Sequence, residues 1–168
     1  NLCLMASNLH SSSDSDLEDL MLAKKKILVI DDEQDILEFL SYNLKREGAK
    51  VYTATNGLKA IELAKSKRPD LILLDVMMPE MDGMETCMQL RENIETKDVV
   101  IAFLTARSED YSQIAGFNAG ADDYITKPIK PRVLISRIKA LLRRKDMAST
   151  DKPVELKTLS IDRERYLV

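Results

Sequence analysis

The chain is poor in the residues that build metal and redox centres. Its 168 residues hold two cysteines, Cys3 and Cys87, and one histidine, His10. The two thiols form no metal-type or disulfide-framework spacing, and they read as ordinary thiols of a reducing cytoplasm. His10 lies in a polar stretch and carries no expected metal or catalytic role. Long hydrophobic runs are also missing. No apolar run approaches the roughly 20 residues that span a bilayer, so no membrane partner is expected. The start of the chain lacks the basic opening and sustained apolar segment of a signal peptide. A dominant charge sign is lacking too, the formal net charge being -3. That charge is uneven: residues 1–22 carry Asp14, Asp16, Glu18 and Asp19 and no Lys or Arg, which leaves +1 for the rest. A near-neutral body gives no electrostatic case for binding nucleic acid.

What is present is 45% apolar residues in a length that suits one domain plus extensions. Residues 1–23 read as a tail, tag or disordered leader, because the Ser- and Asp-rich stretch 11–16 has no period and little to bury. From Lys24 the pattern alternates. Runs at 27–30, 51–54, 71–74 and 99–104, and the stretch 123–126 around the shorter apolar pair Tyr124-Ile125, read as five strands, the third apolar throughout, as in a strand covered on both faces. Between them lie helical spacings. Ile36, Leu37, Leu40 and Leu44 recur on one face, with Gly48 as a stop. Asn56 can cap the second helix, and Asp82, with Glu85 three residues on, the third. A fourth helix is expected to open at Ser108, followed by Glu109 and Asp110. The fifth, near Pro131, carries a Leu134, Ile138, Leu141, Leu142 stripe.

Five strands alternating with five helices, joined by right-handed crossovers, predict a doubly wound α/β fold. The economical strand order is 2-1-3-4-5, with the ligand crevice at the carboxyl ends of the strands. The domain is expected over 24–145, a polar linker over 146–153, and the truncated start of a second domain over 154–168.

Four polar sites fall at those strand ends: Asp31-Asp32, Asp75, Thr105 and Lys127. Three carboxylates suit a hard divalent cation such as Mg²⁺, with Mn²⁺ as an alternative. A carboxylate such as Asp75 can form an acyl phosphate. Lys127 can hold a phosphate oxygen as a point charge, and Thr105 can donate its hydroxyl to another. Taken singly, each has a plainer reading: a solvated strand end, a turn cap, a helix cap, a loop lysine. Their shared placement favours the joint reading.

The segments ILVIDDEQDI, DLILLDVMMPEMDGME, FLTAR and GADDYITKP resemble the receiver domain of bacterial two-component response regulators. The resemblance spans about 25–144, in order. It implies a flavodoxin- or CheY-like fold and a signalling phosphoacceptor rather than an enzyme, with Mg-dependent self-phosphorylation and autodephosphorylation only. Asp75 is then the phosphoacceptor. Asp32 is a direct metal ligand, Asp31 acts mainly through water, and the Met77 backbone carbonyl completes the set. Thr105, the Ala106 backbone N–H and Lys127 contact the phosphoryl group. Tyr124 is the switch aromatic, and Lys127-Pro128 a cis peptide. The last helix and the stretch after 153 resemble the OmpR/PhoB-type transcription regulators, whose DNA-binding winged helix follows the receiver. DNA contact would therefore come only through that missing domain. The implied partners are a sensor histidine kinase and, on activation, a second copy. That copy would meet the face of the fourth helix, fifth strand and fifth helix, with Asp122, Asp123, Arg137 and Arg144 supplying ion pairs and Phe117 and Ile135 an apolar patch. Asn118, Ala119 and Val133 depart from the acids that many relatives carry there.

Two other classes are weaker. An aspartate-nucleophile phosphatase needs an acid two residues after its nucleophile, where this chain has Met77. A flavodoxin-like cofactor carrier needs a phosphate-cradling loop after the first strand, where Asp31-Asp32-Glu33 would repel phosphate.

Overall fold

A computed structural model describes residues 22–106 and 118–150. Its sheet has five parallel strands in the order β2-β1-β3-β4-β5. These are β1 (Lys26–Ile30), β2 (Lys50–Ala54), β3 (Leu71–Asp75), β4 (Val100–Ala106) and β5 (Asp123–Lys127). The expected order and crevice are therefore present. β3 is central and buried over its whole length. Its side chains alternate between two cores: Leu71 and Leu73 join one cluster, Ile72 and Leu74 the other.

Helices α1 (Gln34–Arg46), α2 (Gly57–Lys67), α3 (Gly83–Glu92) and α4 (Pro131–Thr150) cover the two faces. α1 sets Leu37, Leu40 and Leu44 against one core, and α4 adds the predicted Leu134, Ile138, Leu141 and Leu142. Each such fully buried Leu or Ile contributes roughly 1.5–3 kcal/mol over leaving it in water. α2 and α3 cover the other face through small or compact residues, Ala60, Ala64, Cys87 and Leu90. Both predicted caps are present. The Asn56 side chain accepts from Lys59 N–H at 2.9 Å, and that of Asp82 from Glu85 N–H at 2.8 Å.

Four helices stand among the described residues where five were expected. The helix expected from Ser108 lies outside those residues, as do Phe117 and the region after 150. Two boundaries differ from expectation. Leu22, assigned to the tail 1–23, is fully buried in the α1/α4 core. A single apolar residue following a polar stretch gives no periodic signal of its own. The polar linker expected from Asp146 is helical as far as Thr150. Polarity misled there. No Gly or Pro intervenes before Pro153, and the Ser149 and Thr150 hydroxyls donate back to the Asp146 and Met147 carbonyls, each at 2.7 Å.

Candidate functional site

The sheet register brings the site together. Ile30 pairs with Leu74, so Asp31 and Asp75 follow at the same level. Asp75 itself pairs with Leu104, next to Thr105, and Ala106 pairs with Lys127. Carboxylate oxygens of Asp31, Asp32 and Asp75 lie within 4.8 Å of one another. Asp31 and Asp75 are buried, while Asp32 is exposed.

Lys127 joins this group from the end of β5. Its Nζ lies 2.9 Å from Asp31 Oδ2 and 3.4 Å from Asp75 Oδ1. The ammonium is thus held by Asp31 first, a pairing the sequence did not indicate. The Lys127-Pro128 peptide is cis, as expected. Backbone donors steady the carboxylates: Glu33 N–H donates to Asp31 Oδ1 at 2.9 Å, and Met77 N–H to Asp75 Oδ1 at 3.4 Å.

Two titrations are displaced. Burial, and then the neighbouring Asp31 carboxylate, push the Asp75 carboxyl up to about 6, against the pull of Lys127 and of the Met77 hydrogen bond. For Lys127, burial works against the charged form, but the hydrogen bond to Asp31 and the charges of Asp75 and Asp31 outweigh it and raise its pKa. Three converging carboxylates, two of them buried, form a donor set that fits a hard divalent cation.

Thr105 is buried near the end of β4, and its hydroxyl donates to the Ala106 carbonyl at 2.9 Å. Met77 is 76% exposed. Tyr124 is buried, its ring 5.8 Å from that of Phe103 and tilted by 43°.

Three of the residues read as a dimer face, Asp122, Asp123 and Arg137, are engaged within the chain, while Phe117 lies outside the described residues. Asp122 Oδ2 pairs with Arg91 at 3.0 Å and accepts from Ile101 N–H at 2.8 Å. Arg137 lies 3.2 Å from Asp123 Oδ1 and donates to the Tyr124 carbonyl at 2.7 Å. Arg144 is exposed, and Ile135 is half-buried against the α1/α4 core.

Sequence reasoning missed two positions. Gly83 opens α3 where a Cβ would fall on the Asp75 carbonyl oxygen. Its N–H donates to the Val76 carbonyl at 2.9 Å, which binds the start of α3 to the end of β3. The motif context, a Gly after a helix cap, was the available signal. Arg91 is the other. Besides Asp122 it donates to the carbonyls of Gly120, Lys97 and Val99, at 2.9, 2.9 and 2.6 Å. Nothing local in the sequence marks those partners.

Among the described residues no helix is long and apolar enough to cross a membrane.

The model of the family "Response regulator receiver domain" matches residues 27–139. The alkaline phosphatase synthesis transcriptional regulatory protein PhoP of Bacillus subtilis (strain 168) is 48% identical over 125 residues, covering 74% of this chain and 51% of that protein. The chain therefore spans about half the length of this curated relative. Two solved structures are similar. One is the chemotaxis protein CheY4 of Vibrio cholerae, with 31% identity, a TM-score of 0.68, and coverage of 71% of this chain and 99% of that one. The other is a two-component response regulator from Clostridium difficile, with 33% identity, a TM-score of 0.67, and coverage of 71% and 97%. On sequence, on fold and on the Asp31, Asp32, Asp75 pocket, the chain belongs to the response regulator receiver domains, which are signalling phosphoacceptors rather than catalytic enzymes.

Proposed function

We propose that Asp75 takes a phosphoryl group from the phosphohistidine of a sensor histidine kinase. A carboxylate oxygen of Asp75 forms the bond to phosphorus as the phosphorus–nitrogen bond breaks and the electron pair returns to the imidazole. The observation that carries this reading is the buried Asp75 at the end of the central strand, facing both Asp31 and the Lys127 ammonium. Mg²⁺, or Mn²⁺, held by Asp31, Asp32, Asp75 and the Met77 carbonyl, would supply charge neutralisation for the transferring oxygens.

The other residues act on the product. Lys127 already lies beside Asp75 and holds one phosphoryl oxygen. The Thr105 hydroxyl leaves the Ala106 carbonyl for a second oxygen, and the Ala106 N–H donates to a third. Tyr124 follows Thr105, and the surface of the expected fourth helix, β5 and α4 shifts with it. The phosphoryl group drives that shift by binding the active arrangement more tightly. Two copies then pair through this face, and transcription is controlled by a full-length protein with a DNA-binding domain. The relative's printed name, a transcriptional regulatory protein, supports this last step. A cytoplasmic location follows from the same reading.

Intact mass after incubation with Mg²⁺ and a small acyl-phosphate donor tests the core of it. One phosphoryl gain is expected, abolished by chelation and by Asp75→Asn. A gain that survives Asp75→Asn assigns the phosphoacceptor elsewhere.

A further inference from the structure

A groove of about 930 Å³ runs between α1 and α4. Arg46, Lys130, Arg132, Lys139 and Arg143 line it against a single carboxylate, Glu47, a net of +4 where residues 23–168 together carry only +1. Val133 and Ile135 give it an apolar strip, and Val133 is 46% exposed. None of this belongs to the phosphoacceptor pocket.

Residues 14–21 of this chain match the groove in charge. Asp14, Asp16, Glu18 and Asp19 carry -4 with no basic residue among them, and Leu17, Leu20 and Met21 fall at i, i+3, i+4 spacing. Their attachment point is next to the groove. Leu22 is buried in the core shared by α1 and α4. Ala23 packs on the turn after α1, where a Cβ at Gly48 would lie 3.0 Å from its Cα. Gly48 directly follows Glu47, which lines the groove. The reach suffices: eight residues span up to about 27 Å extended, and Pro131 to Arg143 is about 18 Å of helix.

We propose that the acidic segment 14–21 docks in this groove as an intramolecular strap. Each surface ion pair contributes little by itself. Tethering makes the segment's local concentration high, so several weak pairs and three apolar side chains suffice. The consequence is regulatory. Lys130 and Val133 also line the adjoining hollow that holds Lys127 and Pro128. A strap in the groove competes with any protein that approaches the phosphoacceptor site over α1 and the start of α4. The inference stands or falls independently of the role given to Asp75.

Zero-length carbodiimide coupling of the full chain, mapped by peptide mass, tests it. Carboxylates of 14–19 are expected to couple to Lys130 or Lys139 within monomers. The yield should fall about fivefold or more in roughly 0.5 M salt, where the Debye length is only a few ångströms. It should fall equally in Arg46→Ser/Arg143→Ser, two exposed positions, with an unchanged melting curve as the folding control. Lys65 and Lys67 on α2, across the sheet, serve as controls. Coupling as strong at these controls as at Lys130 and Lys139, or none at the latter pair, overturns the proposal. Coupling found only between chains overturns it in favour of a second copy as occupant.

Discussion

Lys127 lies closer to Asp31 than to the proposed phosphoacceptor, at 2.9 Å against 3.4 Å. One ammonium therefore neutralises a fully buried carboxylate while touching the group that is to react. Removing one partner of a buried pair costs about 3–5 kcal/mol, because the other charge stays behind unpaired. Lys127→Met should lower metal-free stability at pH 7 by about 3 kcal/mol, and millimolar Mg²⁺ should restore part of it. Urea denaturation with and without Mg²⁺ measures both. An unchanged midpoint without metal would mean that water, rather than Lys127, compensates Asp31.

The raised Asp75 carboxyl makes a prediction of definite sign. Its ordinary value is 3.8 and its folded value about 6, so the fold favours the protonated form. That favourable contribution is complete below pH 3.8 and is lost as pH rises through 6. At pH 7 without metal the ionised carboxylate is a liability of about 1–3 kcal/mol. Asp75→Asn should therefore be more stable than the parent at pH 7, and the difference should vanish by about pH 4. Chemical denaturation across that range decides it. A loss of stability at pH 7 would show that the Lys127 contact outweighs burial.

Arg91 ties the end of α3 to the loop before β4 and to the entry of β5, through three carbonyls and Asp122. Arg91→Ala should cost about 2–4 kcal/mol, as expected when several hydrogen bonds of a charged donor are lost together. Arg91→Lys should recover less than half, since a point charge cannot reproduce the planar fork. Thermal melts of the two variants separate fork geometry from charge. Full rescue by Lys would reduce the role to electrostatics.

Arg137 pairs with Asp123 of its own chain at 3.2 Å. Pairing of two active copies through these residues requires an exchange of that partner. Arg137→Asp should leave the unactivated chain folded and weaken self-association after treatment with beryllofluoride, a phosphoryl mimic, by about tenfold. Asp123→Arg in the same chain should restore much of it. Sedimentation or light scattering gives the answer. Dimerisation insensitive to both changes would remove these two residues from the interface.

Much of the architecture was legible because the relevant signals are local. The apolar runs gave five strands, and Asn56 and Asp82 announced helix starts that both form. Placing Asp31, Asp75 and Lys127 together needed only the sheet order and the rule that ligands gather at strand ends. What stayed hidden depends on contacts distant in sequence. The burial of Leu22 depends on α1 and α4 closing over it, and the partners of Arg91 come from two separate loops. The hold of Lys127 on Asp31 bridges 96 positions and follows from geometry rather than motif. The extension of α4 to Thr150 was masked by composition, since polar residues fit an exposed helix as well as a linker.

Gly83 has one further consequence. With no side chain between them, the start of α3 rests on the main chain of β3 beside Asp75. Rotamers can relax around a crowded contact, but two backbones in touch cannot. The neighbourhood of Asp75 thus inherits the stiffness of the polypeptide itself. The side of Asp75 that faces α3 therefore has little slack with which to yield when a group is added there.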